Sequence, residues 1–423
     1  MRSKRFPTGL RATLVMLTVV LLVTTGWAAT EKVLHNFGSS GTDGMFPTSG
    51  LIRDAAGNLY GTTQNGGSHY SLDGDCFPGC GTVFELMPRE GGGWTERVLH
   101  NFGSGMDGVN PNGALIFDAA GNLYGTTTNG GTEQLGTVFK LTPNGSGGWT
   151  EKILHNFKWD FKDGSRPIAG LIFDAAGNLY GTTQFGGHYG YWDGGIVFEI
   201  TPNESGGWTE KVLHSFGGGR DGVNPSSGLM FDGAGNLYGT TQYGGTYRMG
   251  IVFEMTPNDN GSWSEKRLHD FGPAGLGPQP FAGLIFDAAG NLYGVTSSGG
   301  GYDCGTVFGM TPNGSGGWTE KILHNFHLYP MDGCVLYGGL VFDAAGNLYG
   351  TAYRGGYNYR GTVFELTPRD GGGWTERNVH YFGYGMDGVG PYGNVIFDAA
   401  GNLYGTTAEG GAYNRGTVFE ITP

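Results

Sequence analysis

The side chains able to do acid–base chemistry in this sequence fall into a repeated set and an unrepeated one. Seven of the ten histidines, His35, His100, His155, His214, His269, His324 and His380, each stand two residues before a Phe in a recurring segment. A catalyst is needed once per site, so a histidine supplied once per repeat reads as a packing or hydrogen-bonding element. Six Asp-Gly pairs, at Asp43, Asp107, Asp163, Asp221, Asp332 and Asp387, recur in the same way, and one repeat has Gly272-Pro273-Ala274-Gly275-Leu276 instead. Six carboxylates on one face could hold a structural cation, and the turn that Asp-Gly favours accounts for them as well. The titratable groups that break the pattern are His69, Asp73, Asp75, His188, Asp193, Asp303 and Glu409. General acid–base chemistry would need two of these to converge on one substrate atom. Paired glycosidase carboxylates stand at most about 9.5 Å apart. Such a pair would make the chain a lyase or hydrolase of polysaccharide.

Binding chemistry has more candidates than catalysis. Tyr70, Trp159, Phe161, Tyr191, Trp192, Tyr243, Tyr247, Tyr302, Tyr329, Tyr337, Tyr357, Tyr359, Tyr384, Tyr392 and Tyr413 lie in the irregular stretches, among Asn, Asp and Gly. Flat rings beside polar groups can stack on the apolar faces of sugars while their neighbours bond hydroxyls. Tyrosines filling the gaps between glycines would give the same pattern. The set singled out for a ligand is Tyr70, Asp73, Asp75, Trp159, Tyr191, Trp192, Tyr243 and Tyr357. The four cysteines, Cys76, Cys80, Cys304 and Cys334, are even in number. Disulfides Cys76–Cys80 and Cys304–Cys334 are expected if the chain is exported. Cys-x-x-x-Cys without a second matching pair is a poor zinc signature. The Gly-rich stretches do not supply the strand–Gly-x-Gly-x-x-Gly–helix context of a dinucleotide site, and no cofactor is implied.

These residues must be positioned by a unit that recurs. Gly-Asn-Leu-Tyr-Gly begins at Gly57, Gly121, Gly177, Gly235, Gly290, Gly346 and Gly401, at spacings of 55 to 64 residues. A period of that size marks an array of small supersecondary units. Each unit divides into four strands. Strand A is an apolar run such as Gly170 to Asp174, whose consecutive apolar residues suit burial on both faces. Strand B is Leu-Tyr-Gly-Thr-Thr, joined to A by an Asp-x-x-Gly-Asn turn. Strand C is Gly-Thr-Val-Phe-Glu-Leu-Thr-Pro, closed by its Pro. Strand D is Trp-Thr-Glu-Lys-Ile-Leu-His-Asn-Phe.

The order of the pieces is offset at the two ends. Residues Thr30 to Phe37 form a D strand with nothing before it, and Gly416 to Pro423 form a C strand with nothing after it. Pairing the two removes both open edges. The fold expected is all-β: a seven-bladed β-propeller of four antiparallel strands per blade, A innermost, closed by the N-terminal strand in the last blade. The A–B and C–D turns then share one face, and the B–C and D–A segments share the other. From the Gly of Gly-Asn-Leu-Tyr-Gly to the Gly opening C is 15 residues in five units, 18 in the third and 24 in the first. Ligand specificity is therefore expected on the B–C/D–A face.

Residues 1–28 read as a secretory leader. Arg2, Lys4, Arg5 and Arg11 precede or begin an apolar run to Val23, and small residues lead to cleavage after Ala28. The single propeller domain would occupy 29–423. Cleavage leaves 20 Lys+Arg against 37 Asp+Glu, a net charge of −17 that disfavours nucleic acid and anionic membrane surfaces. Gly supplies 86 of the 423 residues at fixed places in the repeat, so they read as turn and close-packing positions.

The hairpin Pro225 to Tyr238 resembles NHL-type propeller repeats. The complete unit, with Gly-Gly before C and Trp-Thr-Glu-Lys before D, is similar to the GloVer tandem repeat of exported bacterial proteins of the choice-of-anchor type, over Thr30 to Pro423. That resemblance implies export to the periplasm or the exterior. The chain stops at the final C strand without a sorting segment, which favours a soluble form. The function expected is a non-enzymatic exported propeller that binds an extracellular ligand, a glycan by chemistry. The polysaccharide lyase or hydrolase and a structural cell-surface component are the alternatives.

Overall fold

The structure, a computed structural model, describes residues 29–70, 76–190, 194–272, 279–328 and 331–423. The expected leader, together with Asp73, Asp75, Tyr191, Trp192, Asp193 and Tyr329, lies outside the described residues. Seven antiparallel sheets of the order A-B-C-D follow one another along the chain. In blade 1, A is Ile52–Arg53, B is Leu59–Thr63, C is Thr82–Pro88 and D is Trp94–Asn101. The last blade has A at Ile396–Phe397, B at Leu403–Gly410 and C at Thr417–Thr422. Its D strand is Thr30–Asn36, from the other end of the chain, with Val33 opposite Phe419 and His35 opposite Val418. The architecture is a seven-bladed β-propeller with the closure its sequence implies.

Strand A differs from its expected form. Its ladder with B is two residue pairs long, as Ile52↔Tyr60 and Arg53↔Leu59, and its side chains are half-buried rather than buried on both faces. One side of A borders the central channel, which leaves only the other to pack. The inner edge of B is completed by a piece of the D–A segment instead. Gly44–Met45 pairs with Asn65–Gly66, and in blade 2 Gly108–Pro111 pairs directly with the long B strand Leu123–Gly130.

Blades are joined by aromatic rings. The Phe that ends each D strand is fully buried and meets the central Phe of strand C in the next blade. Centroids are 5.0 Å apart for Phe37–Phe84 and Phe102–Phe139, and 5.1 Å for Phe382–Phe419, all edge-on or tilted. Such pairs contribute about 0.5–1.5 kcal/mol beyond the area they bury. They explain the Gly inside strand B: a Cβ on Gly61 would stand 2.7 Å from the Phe84 ring and 3.0 Å from Leu51. Each C–D pairing also carries a bulge, as between Val83↔His100 and Phe84↔Val98, so that Leu99 is extra. Bulges re-aim side chains, and here the re-aimed residue is the repeated histidine.

Candidate functional site

The two faces of the ring differ in kind. On the A–B side Asp54 accepts from Asn58 N at 2.9 Å, from Asn58 Nδ2 at 2.8 Å and from Tyr60 Oη at 3.1 Å. Asp118, Asp174, Asp232, Asp287 and Asp398 make the same three bonds. The hairpin Asp is thus the Asx-type turn element expected of it. Gly57 takes φ of +92° in that turn, where glycine is the unstrained choice. This face repeats from blade to blade.

The opposite face carries the differences. Among the described residues every exposed large hydrophobic side chain lies in a B–C or D–A segment, including Tyr70, Phe77, Trp159, Phe161, Tyr189, Tyr243, Tyr247, Tyr302, Tyr357, Tyr359, Tyr384 and Tyr413. Of the singled-out ligand set, Tyr70, Trp159, Tyr243 and Tyr357 are therefore at the surface, on blades 1, 2, 4 and 6. Tyr243 Oη accepts from Gln279 Nε2 at 3.1 Å, and Tyr357 lies 6.3 Å from Tyr384. Both disulfides form as expected, Cys76–Cys80 within the first B–C segment and Cys304–Cys334 from a B–C segment to the following D–A segment. The second bond ties together two segments that only the propeller topology brings to one face.

Of the unrepeated acid–base candidates, His69, His188, Asp303 and Glu409 sit on blades 1, 3, 5 and 7. No hydrogen bond or ion pair joins any two of these four described residues. Asp303 accepts from Gly299 N at 2.8 Å, and His188 lines a cavity at the junction of blades 2 and 3 with His155, Asp163 and Glu210.

The repeated histidines and the Asp-Gly carboxylates prove to be partners. His100 Nε2 lies 2.9 Å from Asp107 Oδ2, and His155, His214, His324 and His380 stand 2.9 to 3.0 Å from Asp163, Asp221, Asp332 and Asp387. His35 and Asp43 are 3.6 Å apart. In the five hydrogen-bonded pairs the other Asp oxygen accepts from the N–H of the following Gly, as Asp107 Oδ1 does from Gly108 N at 2.6 Å, whereas Asp43 accepts from Ser39 instead. A glutamate from the D strand of the next blade completes each group: Glu151 joins His100 and Asp107, and Glu210 joins His155 and Asp163. Burial, then the neighbouring aspartate, pushes the carboxyls of Glu31, Glu96, Glu210 and Glu376 up to about 7, and that of Glu151 up to about 9. Burial would also raise Asp107, but its bonds from His100 and Glu151 hold it below the ordinary value. Glu151 Oε1 is buried without a hydrogen-bond partner, with His100 Nε2 3.9 Å away, and two carboxyls can bond each other only if one of them holds a proton, so a bond between Glu151 and Asp107 requires a proton on Glu151. Donor atoms within 4.8 Å of one another could also hold a cation in four of these groups. In the five hydrogen-bonded pairs the Asp oxygens already accept from His and backbone, so one proton shared between Glu and Asp would be enough to pair the two carboxyls. Where blade 5 lacks the Asp-Gly, His269 has no such partner, and burial lowers it.

A further ring of residues lies at the channel. The side chain three positions before the first core residue of strand A is not repeated as the rest of the blade is: it is Thr48, Asn112, Ile168, Ser226 and Phe281 in the first five blades and Tyr337 and Tyr392 in the last two. All seven line one central cavity of about 300 Å³, at the D–A end of the A strands. Three consecutive blades supply aromatics. Tyr337 and Tyr392 stack with centroids 4.6 Å apart and planes 26° apart, and Phe281 meets Tyr337 edge-on at 5.0 Å. Tyr353 backs this cluster at 5.6 Å from Tyr337. Burial, and then the neighbouring phenols Tyr337 and Tyr353, raises the Tyr392 hydroxyl well above the ordinary phenol range, so it stays protonated. Across the channel Thr48 Oγ1 donates to Asn112 Oδ1 at 2.6 Å. Tyr337 and Tyr392 belong to the aromatic residues visible in sequence. Their grouping with Phe281, Thr48, Asn112 and Ser226 was not, although the shared offset from strand A was available as a signal.

No curated protein matches this sequence. Among solved structures, the chain is similar to PorZ, an essential bacterial surface component of the type-IX secretion system of Porphyromonas gingivalis, at 14% identity and a TM-score of 0.42. That match covers 76% of this chain and 42% of PorZ, so the chain spans less than half the length of that protein. The model of the Gloeobacter/Verrucomicrobia repeat matches residues 20–159, 145–339 and 283–423. Matched over nearly its whole length, and built of the repeating blade just described, the chain belongs to the Gloeobacter/Verrucomicrobia repeat family.

Proposed function

We propose that this chain is an exported, non-enzymatic binding propeller that presents its B–C/D–A face to an extracellular ligand, a glycan by class. The observation that carries the reading is the confinement of the exposed large hydrophobic side chains to that one face. Exposed rings gathered on one face are a mark of interaction surfaces, and rings among amides and hydroxyls suit sugars. Two disulfides in so small a number of cysteines support an oxidising compartment, periplasmic or extracellular. Among the described residues no helix is long and apolar enough to cross a membrane.

A face-specific block tests the reading. A polyethylene-glycol maleimide is attached either at Tyr413→Cys, on the variable face, or at Ser146→Cys, in a C–D turn of the other face, and both proteins are applied to an array of polysaccharides. Binding abolished by the first label and retained with the second is the expected result. Equal binding by both labelled proteins, or binding lost only with the second, contradicts it.

A further inference from the structure

We propose that the channel mouth is the docking point for a single ring of a neutral polysaccharide, with Phe281, Tyr337 and Tyr392 as the stacking wall and Thr48, Asn112 and Ser226 as hydroxyl partners. The inference rests on the glycan reading above and places it at one site.

Three properties of the mouth select this ligand class. The first is charge. Among the described residues no charged side chain lines the cavity, although acidic residues outnumber basic ones 37 to 24 in the chain. An ionic ligand would leave water there for no counter-charge, at a cost of several kcal/mol. The second is the division of the ring into halves. Aromatics from blades 5, 6 and 7 are contiguous, while the side chains of blades 1, 2 and 4 offer hydroxyls and an amide, with Ile168 of blade 3 between them. A wholly apolar ligand would bury the Asn112 amide hydrogens without an acceptor. A sugar presents C–H faces and hydroxyl edges together, and so meets both halves. With Asn112 Oδ1 engaged by Thr48 and Ser226 Oγ donating to Asn224 O at 3.3 Å, the Asn112 amide hydrogens are what the polar side has left to donate to a ring oxygen or hydroxyl, while the Thr48 and Ser226 oxygens can accept.

The third property is size. A cavity of about 300 Å³ is at the small end of ligand sites, which run from about 300 to 1,000 Å³. It admits a chain end or one unit of a chain laid across the face. The surrounding exposed rings, Tyr243 and Tyr357 among them, would then meet the flanking units. Departure from seven-fold repetition at these seven equivalent positions is itself informative. Ring closure makes no demand for different side chains there, since strand A packs through the neighbouring Leu51, Leu115, Leu171, Leu229, Leu284 and Leu340.

Titration calorimetry of the full chain with neutral cello-, xylo-, manno- and chito-oligosaccharides tests the inference. Tyr337→Ala and Tyr392→Ala are each expected to weaken binding about tenfold or more, and Tyr337→Phe, which keeps the ring, to stay within a few-fold. Thr48→Val and Ser226→Ala, which change little volume, keep the test open should an aromatic variant fail to fold; both are expected to weaken binding. Binding that survives all four mouth variants but is lost in Trp159→Ala/Tyr243→Ala/Tyr357→Ala overturns the mouth site and leaves the glycan reading standing. Failure of every sugar to bind overturns both.

Discussion

His100 Nε2 stands 2.9 Å from Asp107 Oδ2, and the glutamate that closes on the pair, Glu151, belongs to the next blade. The contact is therefore a seam. It joins the end of one D strand, the D–A segment that follows it, and the D strand of the neighbouring blade. In four such groups a glutamate of one blade closes on the His–Asp pair of another at the outer edge, while the Phe102–Phe139 type of pair joins blades in the interior.

Stability should fall as pH rises through neutrality. A glutamate raised from 4.5 to about 7, as for Glu31, Glu96, Glu210 and Glu376, holds a proton in the folded state that the unfolded chain has already released. Over that window the native state binds more protons, so the stability they contribute is lost from about pH 4.5 to about pH 7, and for Glu151 on to about pH 9. The groups facing them are Asp387 and His380 for Glu31, Asp43 and His35 for Glu96, and Asp332 and His324 for Glu376. Glu210 faces Asp163, His155, Asp160 and Lys158. The lowered Asp43 and Asp107 act oppositely, removing stability as the pH drops below about 4. Thermal melts from pH 5 to pH 9 should show a declining Tm, with a shallower decline in Glu210→Gln. A Tm that rises over this range contradicts the assignment. Chelator should leave the melts unchanged if protons rather than cations fill the seams.

Truncating an interior seam should be costly. Phe102 is fully buried against Phe139, so Phe102→Ala is expected to destabilise by about 3–5 kcal/mol. Denaturant unfolding measures this. A double-mutant cycle with Phe139→Ala should return a coupling of about 0.5–1.5 kcal/mol, and strict additivity would contradict the pairing.

Glycine inside strand B should not tolerate a methyl group. At Gly125 a Cβ would lie 2.7 Å from the Phe139 ring and 2.9 Å from Leu115. Gly125→Ala should cost about 1–3 kcal/mol through displaced core side chains. Gly145→Ala, at a position with open space in a C–D turn, should move Tm little, and the comparison of the two melts checks the cause.

The two disulfides should contribute unequally. Cys304–Cys334 spans 30 residues and Cys76–Cys80 spans 4. Loop-closure entropy makes the longer link the larger contributor, about 3–4 kcal/mol. Cys304→Ser/Cys334→Ser should lower Tm well beyond the Cys76→Ser/Cys80→Ser variant. The reverse order would show that the two segments are held together by other contacts.

What the sequence disclosed and what it hid divide along the blade boundary. The Asp54–Asn58–Tyr60 turn lies within seven residues, and the offset between Thr30 and Pro423 is a matter of counting, so both were legible. His100 and Asp107 were each recognised as periodic, yet their partnership with Glu151 crosses from one blade to the next, and periodicity carries no information about which repeats touch. The mouth residues were hidden for the opposite reason. Thr48, Asn112, Ile168, Ser226, Phe281, Tyr337 and Tyr392 have no residue type common to all seven blades, so they resemble loop variation until ring closure makes them neighbours. Strand A misled because its consecutive apolar residues suggest two buried faces, whereas the channel occupies one of them.

The two-faced arrangement, the mouth and the seams all require that the first strand finish the last blade. Thr30 and Thr422 are directly opposed, exposed partners in that pairing, and opposed antiparallel residues have Cα separations of about 4.5–5.5 Å, within disulfide range. A Thr30→Cys/Thr422→Cys protein resolved on non-reducing gels after proteolysis is the most direct measurement. A bond that links the first and last peptides within one molecule, with a raised Tm, is the predicted result. Free thiols or links only between molecules would contradict the closed ring.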